Sequence, residues 1–600
     1  MQTWKKNIEE TKKNYIDWWN GKGTVLTMWE HLQEGVTPHA EVAAPTAPRN
    51  NEQRWFDPEW RSEQLDWYVA HSSLKADIMP VANTQLGPGS LAAILGGKYE
   101  GREDTIWIHP NPSFSDTITF DPENPAWKLH KELLKACKAK AQGHYYVGMP
   151  DLMEGLDVLA ALKGTDAVLL DTVMQPEVLE EQMQTINDIY FRVYDELYDI
   201  IREGDEMAFC YFSSWAPGKM TKLQSDISTM ISTDDYRRFV QPFIRQQCQR
   251  IPYTLYHLDG IGAMHHLPAL LEIEELNAIQ WTPGAGQPQG GDAKWYDLYR
   301  QILQGGKSIM ACWVRPDELR PLLDNIGAEG VHLEMDFKNE QEIETCMSIV
   351  DEFKSAHTTR EASPVALSEH NSNLNNSQKT MTEETTNKAA SQAAEEVKQA
   401  IIGGKMEVAI DATRRSLDDG MAPQEIINGY MIGAMSEIGQ QFEEGRAFVP
   451  QLLMAGRAMK GALEVIKPLM TTSQTSMGKI VIGTVKGDLH DIGKNLVASM
   501  LEGCGFEVIN VGIDVSAEKF IEEIKSHQPD ILCMSALLTT TMPRMKEVID
   551  ELTSAGLRDS VKIMVGGAPV SQQFADEIKA DGYSDNANSA VAVAKQLLNK

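Results

Sequence analysis

A histidine between two aspartates is the clearest chemical pattern in the chain, in the segment GTVKGDLHDIGKN. The imidazole of His490 is flanked by Asp488 and Asp491, while Gly487 and Gly493 free the backbone on either side. An aspartate two residues before a histidine can accept the ring N–H and raise the basicity of the other ring nitrogen. The pattern therefore predicts a metal ligand with its supporting carboxylate.

A plain structural interpretation of the same segment stays open. Asp491 could cap a helix that begins near Gly493, with His490 merely exposed. Phosphate-binding loops do not fit, because the segment lacks a G-x-G-x-x-G pattern. Five residues, where a P-loop has four, separate Gly487 from the Gly-Lys pair, and Asn495 stands where that loop needs Ser or Thr.

The elements around this loop predict a parallel α/β domain over residues 478–600. Apolar strands alternate with amphipathic helices, and the strands are KIVIGTV, FEVINVG, ILCMSAL, KIMVGGA and GYSDN. The helices are predicted to begin near Gly493, Ser516, Met542, Ser571 and Ser589. Ligands of such sheets bind at the carboxyl ends of the strands, which is where the histidine loop falls.

Three further regions precede this domain. Residues 389–475 hold four helical stretches with apolar residues at three- and four-residue spacing, which predict a small helical bundle. Residues 356–388 are rich in Ser, Thr and Asn and are predicted to be a flexible linker. Residues 1–355 are long enough for an eight-fold (β/α) barrel. Its candidate strands are TVLTMWE, DIMPVAN, YYVGM, AFCYFSS, YTLYHLD, LNAIQW, IMACWV and GVHLEM.

Charge and cysteine content narrow the class of protein. The 55 basic and 86 acidic residues give a net charge of −31, which argues against nucleic acid or an anionic membrane as the main partner. The sequence has no apolar run of about 18 residues and no secretory h-region at its N-terminus. The seven cysteines contain no C-x-x-C pair, so we expect a reduced protein in the cytoplasm.

Three motifs together resemble the D-x-H-x-x-G, S-x-L and G-G signature of cobalamin-binding domains in corrinoid methyltransferase proteins and methionine synthase. They occur in this order at the ends of predicted strands, as Asp488-His490-Gly493, Ser535-Leu537 and Gly566-Gly567. The resemblance implies a flavodoxin-like sheet with cobalamin as cofactor. It also implies that His490 is the lower axial ligand of cobalt and that Asp488 is its hydrogen-bond partner.

The same resemblance assigns further cofactor contacts. Asp491 and Gly493 belong to the binding loop, and Thr541 would extend the relay from the axial histidine. Ser535 and Thr539 would contact the nucleotide tail, in a slot lined by Gly566, Gly567 and Ala587. The segment QQFEEGRAFVPQLL resembles the family's cap over the upper corrin face. It would place over the methyl position Phe442, Val449 and Leu452, although the same residues would equally form an ordinary bundle core.

The N-terminal region resembles the uroporphyrinogen decarboxylase superfamily, a barrel family that includes cobalamin-dependent methyltransferases. The similar segments are LAALKGTDAVLLDTVMQPEVL, MISTDDYRRFVQPFI and WVRPDELRPLL. The Arg-rich N-terminal segment of true porphyrinogen decarboxylases has no counterpart here. The resemblance therefore favours a methyltransferase.

That resemblance also implies zinc, which such methyltransferases hold through a His-x-Cys near the end of strand five and a Cys at the end of strand eight. This chain has His257-Leu258-Asp259 and His332-Leu333-Glu334 at those places, with Cys312 as the nearby thiol. We expect Zn²⁺ to be held by His257, Cys312 and Glu334, with His257, Asp259 and Glu334 as catalytic residues. Alternatively, Cys312 is a small buried apolar residue.

Tryptophan is concentrated near the N-terminus, with seven of the 13 in the first 67 residues. An aromatic cage for a methylammonium substrate would use such residues, although most are expected to be core or interface anchors. Trp29, with Glu30 and His31 after the strand TVLTM, is the candidate for the substrate pocket.

The resemblances imply a cobalamin-dependent methyltransferase. It would move a methyl group between a small donor and protein-bound cobalamin, converting cob(I)alamin to methylcobalamin. The expected partners are the methyl donor, the methyl acceptor and a reductive activase, with a second methyltransferase left open. Two alternatives are cobalt-to-thiol transfer, for example to homocysteine, and a non-catalytic cobalamin-binding sensor.

Overall fold

The computed structural model describes residues 3–598, apart from 88, 103–104, 111–113, 115–116, 154, 285, 358–387, 470–476 and 489–491. The chain forms two compact units, residues 1–364 and residues 365–600. Nearly all of the expected linker, 356–388, lies outside the described residues.

The first unit alternates strands and helices. Its strands are β1 Thr24–Met28, β2 Val81–Ala82, β3 Lys98–Gly101, β4 Ile106–His109, β5 Tyr146–Met149, β6 Met207–Phe209, β7 Trp215–Ala216, β8 Met220–Gln224, β9 Tyr253–Asp259, β10 Ala278–Thr282, β11 Ser308–Val314 and β12 Val331–Met335. Its helices are α1 Ile8–Trp19, α2 Asn51–Phe56, α3 Pro58–Ala70, α4 Ser90–Ile94, α5 Pro125–Ala141, α6 Gly155–Lys163, α7 Thr165–Met174, α8 Pro176–Ile201, α9 Thr233–Phe239, α10 Gln241–Arg250, α11 Leu267–Leu271, α12 Tyr296–Gln304, α13 Pro316–Ile326 and α14 Glu340–His357.

Two sheets of this unit are built mainly from parallel strands. One has the order β1-β12-β11-β10-β9-β8, and the other has the order β2-β5-β6-β7 with only β7 antiparallel. A backbone hydrogen bond from Asp77 to Leu26, 2.9 Å long, connects the chain before β2 to β1. At the other end, the Tyr194 hydroxyl donates to the Met220 carbonyl at 2.7 Å and lies 3.3 Å from Met207 Sδ, which brings β8 next to β6.

The strands of the first unit differ from the sequence prediction in several places. In DIMPVAN only Val81–Ala82 is paired as a strand, and AFCYFSS leaves the sheet after Phe209 in a tight turn. The segment MTKLQ was not predicted, yet it forms β8 with all five residues buried. The strand β8 was missed because of Lys222 and Gln224, since polar side chains in a buried strand break the apolar pattern on which strand prediction depends.

The second unit begins with a helical block and continues into a sheet wrapped by helices. The block contains α15 Lys388–Ile402, α16 Met406–Asp418, α17 Pro423–Ile426, α18 Ile432–Glu443 and α19 Val449–Ile466. The sheet region contains β13 Lys479–Thr484, α20 Ile492–Gly503, β14 Glu507–Asn510, α21 Ala517–His527, β15 Ile531–Ser535, α22 Pro543–Ser554, β16 Lys562–Gly566, α23 Gln572–Glu577, β17 Gly582–Ser584 and α24 Ala587–Leu597.

All strands of this sheet are parallel, in the order β14-β13-β15-β16-β17. This is the flavodoxin-like order, in which the chain reverses its direction of winding between the first and third strands. The predicted α/β class with parallel sheets is therefore confirmed.

Alternate residues of the central strands face two separate cores, as the two-residue period of a strand requires. Ile480 and Ile531 join the core that contains α19, α20 and α24, whereas Val481 and Leu532 join the core of α21 and α22. The helical block thus packs on one face of the sheet. No helix in the described part of the chain is long and apolar enough to cross a membrane.

Candidate functional site

One buried carboxylate joins the loops that follow the first and third strands of the C-terminal sheet. Asp488 is 0% exposed, and its Oδ2 accepts the backbone N–H of Leu537 at 2.7 Å and of Leu538 at 3.2 Å. The Thr541 hydroxyl donates to the same oxygen at 2.7 Å. Three donors favour the ionised carboxylate, and they hold it where the winding of the sheet reverses.

The loop that carries this carboxylate is tied to a third loop as well. The backbone N–H of Gly487 donates to Asp514 Oδ1 at 2.8 Å, and the Lys486 ammonium lies 3.1 Å from the same oxygen. The backbone N–H of Asp514 in turn donates to the Asp488 carbonyl at 3.0 Å. The position of Asp488 is therefore determined by loops from three neighbouring strands.

The signature residues stand side by side at the carboxyl edge of the sheet. Thr484, Ser535, Gly566 and Ser584 are partners in register across β13, β15, β16 and β17. Gly567 has φ +129°, and a Cβ there would lie 1.9 Å from the Ala536 carbonyl oxygen. Only glycine fits at this position, since both the backbone conformation and the approach of the next strand exclude a side chain.

The other expected cofactor contacts have varied surroundings. Thr539 is exposed, Ala587 is buried as the first residue of α24, and Gly493 is an exposed second residue of α20. Leu537 contributes its amide to Asp488, as described above. His490 and Asp491 lie outside the described residues. The axial-ligand assignment and the helix-cap alternative therefore both stay predictions.

The expected cap residues belong to the packing of the helical block. Val449 and Leu452 are buried in the first turn of α19, and Leu452 belongs to the same core as Ile438 of α18, a core shared with the sheet. Phe442 is half-buried against that core. This packing does not distinguish a cap over the corrin from the ordinary core of a bundle.

Comparison with known proteins identifies this unit. Residues 393–467 and residues 478–592 each match a family model described as a B12 binding domain. Dimethylamine corrinoid protein 1 of Methanosarcina acetivorans is 44% identical over 206 residues, which are 34% of this chain and 96% of that protein. The chain belongs to the corrinoid protein family.

Two further relatives have similar coverage. A corrinoid protein of Desulfitobacterium hafniense is 39% identical over 210 residues, 34% of this chain and 97% of its own length. A crystal structure of the methanol:cobalamin methyltransferase complex MtaBC from Methanosarcina barkeri is 27% identical, with a TM-score of 0.32, and the match covers 36% of this chain and 86% of that chain. The family therefore accounts for about one third of the chain, and the matched family models lie within the second unit of this corrinoid protein.

The first unit of the corrinoid protein brings together a possible metal-binding group. Ligand atoms of Asp226, His257 and Asp259 all lie within 4.8 Å of one another. His257 and Asp259 lie at the end of β9, and Asp226 follows β8, the neighbouring strand. Carboxyl ends of adjacent parallel strands meet at one edge of a sheet, which explains why these residues converge.

Hydrogen bonds and burial prepare His257 to act as a ligand. Its Nδ1 pairs with the Gln280 side-chain oxygen, which places the proton on Nδ1 and leaves the Nε2 lone pair free. Burial, together with the nearby Lys222 ammonium, lowers the pKa of His257 to about 3, so the ring is neutral near pH 7.

The carboxylates of this group repel one another. Burial of its carboxyl group and the neighbouring carboxylates of Asp157 and Asp259 raise the pKa of Asp226 well above its usual value, although the residue as a whole is exposed. Asp157 accepts the backbone N–H groups of Asp226 and Ile227 at 2.8 and 3.0 Å, and burial raises its pKa to about 6. A bound cation would relieve this repulsion.

The described residues do not bring the expected zinc ligands His257, Cys312 and Glu334 together as one group of converging ligand atoms. Gln280 lies between two of these residues, because its side-chain nitrogen donates to Cys312 Sγ at 3.0 Å while its oxygen faces His257. Cys312 is fully buried, and burial raises the pKa of its thiol, which opposes formation of the thiolate that binds zinc. Within the described residues it is Asp226, after β8, that completes the group.

Glu334 lies deeper, as a buried carboxyl group. It is 0% exposed and its two oxygens have no hydrogen-bond partner among the described residues, since the Cys312 thiol faces it without hydrogen-bond geometry. Burial raises the pKa of Glu334 to about 8. Its neighbour His332 is also buried, with Nε2 2.8 Å from the Thr27 hydroxyl. The carboxyl group is therefore protonated at neutral pH and is poorly suited to bind a metal.

A cavity of about 1100 Å³ lies beside this group. Its walls come from segments that follow β1, β2, β6 and β12 at their carboxyl ends, and they include the candidate residues Trp29, Glu30 and His31. The ring of Phe212, in the wall, has its centroid 6.1 Å from that of His257. Phe212 therefore connects the cavity wall to His257 of the possible metal group.

Sequence reasoning missed several residues of this site, notably Asp226, Gln280, Arg61, Phe212 and Trp313. Asp226 follows β8, whose sequence MTKLQ has apolar residues three positions apart and so lacks the two-residue alternation by which a strand is predicted. Gln280 stands in register with His257 on the next strand, a neighbour relation that appears only once the sheet order is known.

The close approach at Gly567 predicts a selective effect of a single methyl group. Gly567→Ala should destabilise the second unit more than Gly556→Ala, and it should weaken retention of cobalamin. Gly556 also has a positive φ, +69°, but a Cβ there would meet nothing within 4 Å, so it carries only the conformational cost of about 1–2 kcal/mol. Calorimetric unfolding of the full chain measures both variants, and equal losses would contradict the clash.

Burial of Glu334 predicts a pH dependence of stability. Because its folded pKa, about 8, exceeds the ordinary value of 4.5, the contribution of Glu334 to stability is fully present below pH 4.5 and is lost as the pH rises toward 8. The slope is at most about 1.4 kcal/mol per pH unit. Glu334→Gln should flatten it, whereas Glu41→Gln, at an exposed position, should not.

Tryptophan fluorescence during urea unfolding is the suitable measurement, because all 13 tryptophans precede residue 314 and report on the first unit. Parallel pH profiles for the wild-type protein and Glu334→Gln would show that this carboxyl group is ionised in the folded protein.

Proposed function

We propose that the chain is a cobalamin-dependent methyltransferase, in which the first unit moves a methyl group between a small donor and a corrinoid held by the second unit. The observation that carries the proposal is the Asp488 carboxylate, fixed by three donors at the winding reversal of the sheet and placed two residues before His490. In this proposal His490 is the lower ligand of cobalt and Asp488 accepts its ring N–H.

The residues present fit a corrinoid with a long tail. Gly566 and Gly567 keep the edge of the sheet free of side chains, and Ser535, Thr539 and Ala587 stand around the same edge. The bound corrinoid would supply a cobalt centre that accepts and releases the methyl group. Thr541 would hold a proton next to Asp488, so that ligation by His490 and protonation are linked.

For the first unit, we infer a closed (β/α) barrel of the uroporphyrinogen decarboxylase type. The contacts that join its two sheets, from Asp77 to Leu26 and from Tyr194 to Met220, support closure. The possible metal group and the cavity lie at carboxyl strand ends, which is where barrel enzymes place their active sites.

The group of Asp226, His257 and Asp259 is proposed to hold zinc. Zinc there would act as a Lewis acid on the heteroatom that bears the methyl group. Gln280 orients the neutral ring of His257, and the two carboxylates provide the negative charge. A group with two oxygen ligands suits an oxygen or nitrogen donor better than a thiolate, which favours the donor-side reaction over transfer to homocysteine. A reductive activase and a second methyltransferase remain proposed partners.

Replacing His490 tests both the corrinoid ligation and the function. His490→Ala should change the visible spectrum of bound cobalamin, because the lower face of cobalt loses its imidazole, and it should lower methyl transfer from any accepted donor. His527→Ala is the matched control, since His527 is an exposed residue of the same unit. A screen of methylated metabolites with the full chain and cob(I)alamin, followed by absorbance, identifies the donor.

An unchanged spectrum in His490→Ala would show that another group is the axial ligand. Failure of every methylated donor in the screen, with cobalamin bound, would instead favour the sensor alternative.

The metal assignment predicts different effects for two neighbouring substitutions. Asp226→Asn should weaken zinc binding by at least about tenfold, because it removes a direct ligand and not merely a residue that orients a ligand. Cys312→Ser should retain zinc, since its thiol contacts Gln280 instead. Asp234→Asn, at an exposed position, is the control. Metal analysis after dialysis decides, and zinc loss in Cys312→Ser alone would restore the ligand set expected from sequence.

A further inference from the structure

The cavity beside His257 has an aromatic wall and a wall with unpaired hydrogen-bond donors. We propose that it binds a zwitterion, a compound with a methylated ammonium group at one end and a carboxylate at the other. The inference rests on the proposed function, because it names the chemical class of the methyl donor.

The aromatic wall contains four rings, that of Trp29 and three around it. The centroid of the Trp29 ring lies 4.9 Å from Tyr211, 5.3 Å from Phe212 and 6.0 Å from Trp313. The first two pairs are edge-to-face and the third is tilted, so the rings present surfaces in different directions. Such a cluster attracts a methylated ammonium group, whose positive charge is spread over its methyl hydrogens.

Backbone strain is concentrated in this wall. Phe212, Ser213 and Trp313 have φ values of +61°, +43° and +54°, in the left-handed region that residues other than glycine rarely adopt. Strain of this kind persists where the surroundings hold side chains in a required orientation, and it is concentrated at binding sites. Here it orients two of the four rings.

Charges near the rings favour a cation. Glu30 and Asp336 are exposed residues of the cavity wall, next to Trp29 and after β12. The Lys222 ammonium lies 5.1 Å from the Tyr211 ring, but it is buried and paired with Asp151. Its positive charge is thus already neutralised within the protein.

The surroundings of Arg61, in contrast, favour an anion. This arginine is 7% exposed and lines the cavity, and its Nη2 donates to the carbonyls of Asn83 at 3.2 Å and Gln85 at 3.0 Å. In the described part of the chain no carboxylate lies within ion-pair distance of it, and its Nε has no hydrogen-bond partner. A buried cation without a counter-ion is costly, so an anionic ligand would stabilise it.

Gln85 adds a second donor to that wall. Its side-chain oxygen accepts the backbone N–H of Asp151 at 2.9 Å, and its side-chain nitrogen is buried without a partner among the described residues. Arg61 and Gln85 together offer donors and no acceptor, and a carboxylate is the common ligand that accepts from both.

Binding to the full chain without cobalamin tests this inference by calorimetry with three small ligands. Glycine betaine carries both charges, choline carries only the cation, and 3,3-dimethylbutanoate replaces the nitrogen of glycine betaine by carbon. Glycine betaine should bind at least about tenfold more tightly than either of the others, because each loses one recognised end. Equal affinity of glycine betaine with either single-ended ligand, or no binding of glycine betaine, would overturn the proposal.

Two variants test recognition of the ammonium end and of the carboxylate end of the ligand separately. Trp29→Leu should weaken binding of glycine betaine and choline but not of 3,3-dimethylbutanoate, whereas Arg61→Gln should weaken binding of glycine betaine and 3,3-dimethylbutanoate but not of choline. Trp67→Leu, outside the cavity wall, should change none of them. Should Arg61→Gln fail to fold, Trp29→Leu and the wild-type ligand series still decide.

The outcome is separable from that of the proposed function. Tight binding of glycine betaine, with no methyl transfer from it or from any other donor in the screen, would sink the methyltransferase proposal and leave the binding site. Methyl transfer from another donor, without binding of glycine betaine, would support the methyltransferase proposal and overturn the zwitterion site.

Discussion

The loop after the first strand of the C-terminal sheet is held in place by one carboxylate oxygen. Asp488 Oδ2 accepts two backbone N–H groups and one hydroxyl from the loop after the third strand. Those strands, β13 and β15, are neighbours because helices α20 and α21 wind to opposite faces of the sheet. The strand order, the positions of the two loops and the packing of a core on each face of the sheet together bring these groups into contact. A family signature that appears as separate motifs in the sequence is, in three dimensions, one hydrogen-bonded unit.

The first unit depends on a different constraint, which is polar groups inside a sheet. Lys222, Gln224, Gln280, His332 and Glu334 are buried on strands where apolar residues would be more stable. Several are bonded to one another or to a neighbour: Lys222 pairs with Asp151, and Gln280 connects His257 to Cys312. Glu334 instead stays protonated. This interior resembles the lining of a reaction site more than a core optimised for stability, because its bonds orient groups toward the carboxyl ends of the strands.

Sequence patterns were sufficient to predict the strands of the second unit, but they predicted only part of those in the first unit. The strands after residue 478 are apolar runs bounded by glycine and by capping residues such as Ser516 and Ser571, so local chemistry determined them. The motifs Asp488, Ser535 and Gly566 were adjacent in prediction because parallel strands end at one edge. In the first unit, β8 escaped prediction because Lys222 and Gln224 face inward. The sequence expectation named Cys312 and Glu334 beside His257 and did not name Asp226, since only the pairing of β8 with β9 reveals that Asp226 is a neighbour of His257.

The left-handed backbone at Phe212 and Trp313 has a consequence for how this protein can change. Glycine at either position would relieve a conformational strain of about 1–2 kcal/mol, but it would also delete a ring from the cavity wall. For Phe212, which is 4% exposed, the lost burial would cost more than the strain, so packing alone retains that ring. The Trp313 ring is half-buried and depends more on what the cavity holds, so a lineage that no longer used the cavity would lose this ring first, while its C-terminal sheet kept the signature unchanged.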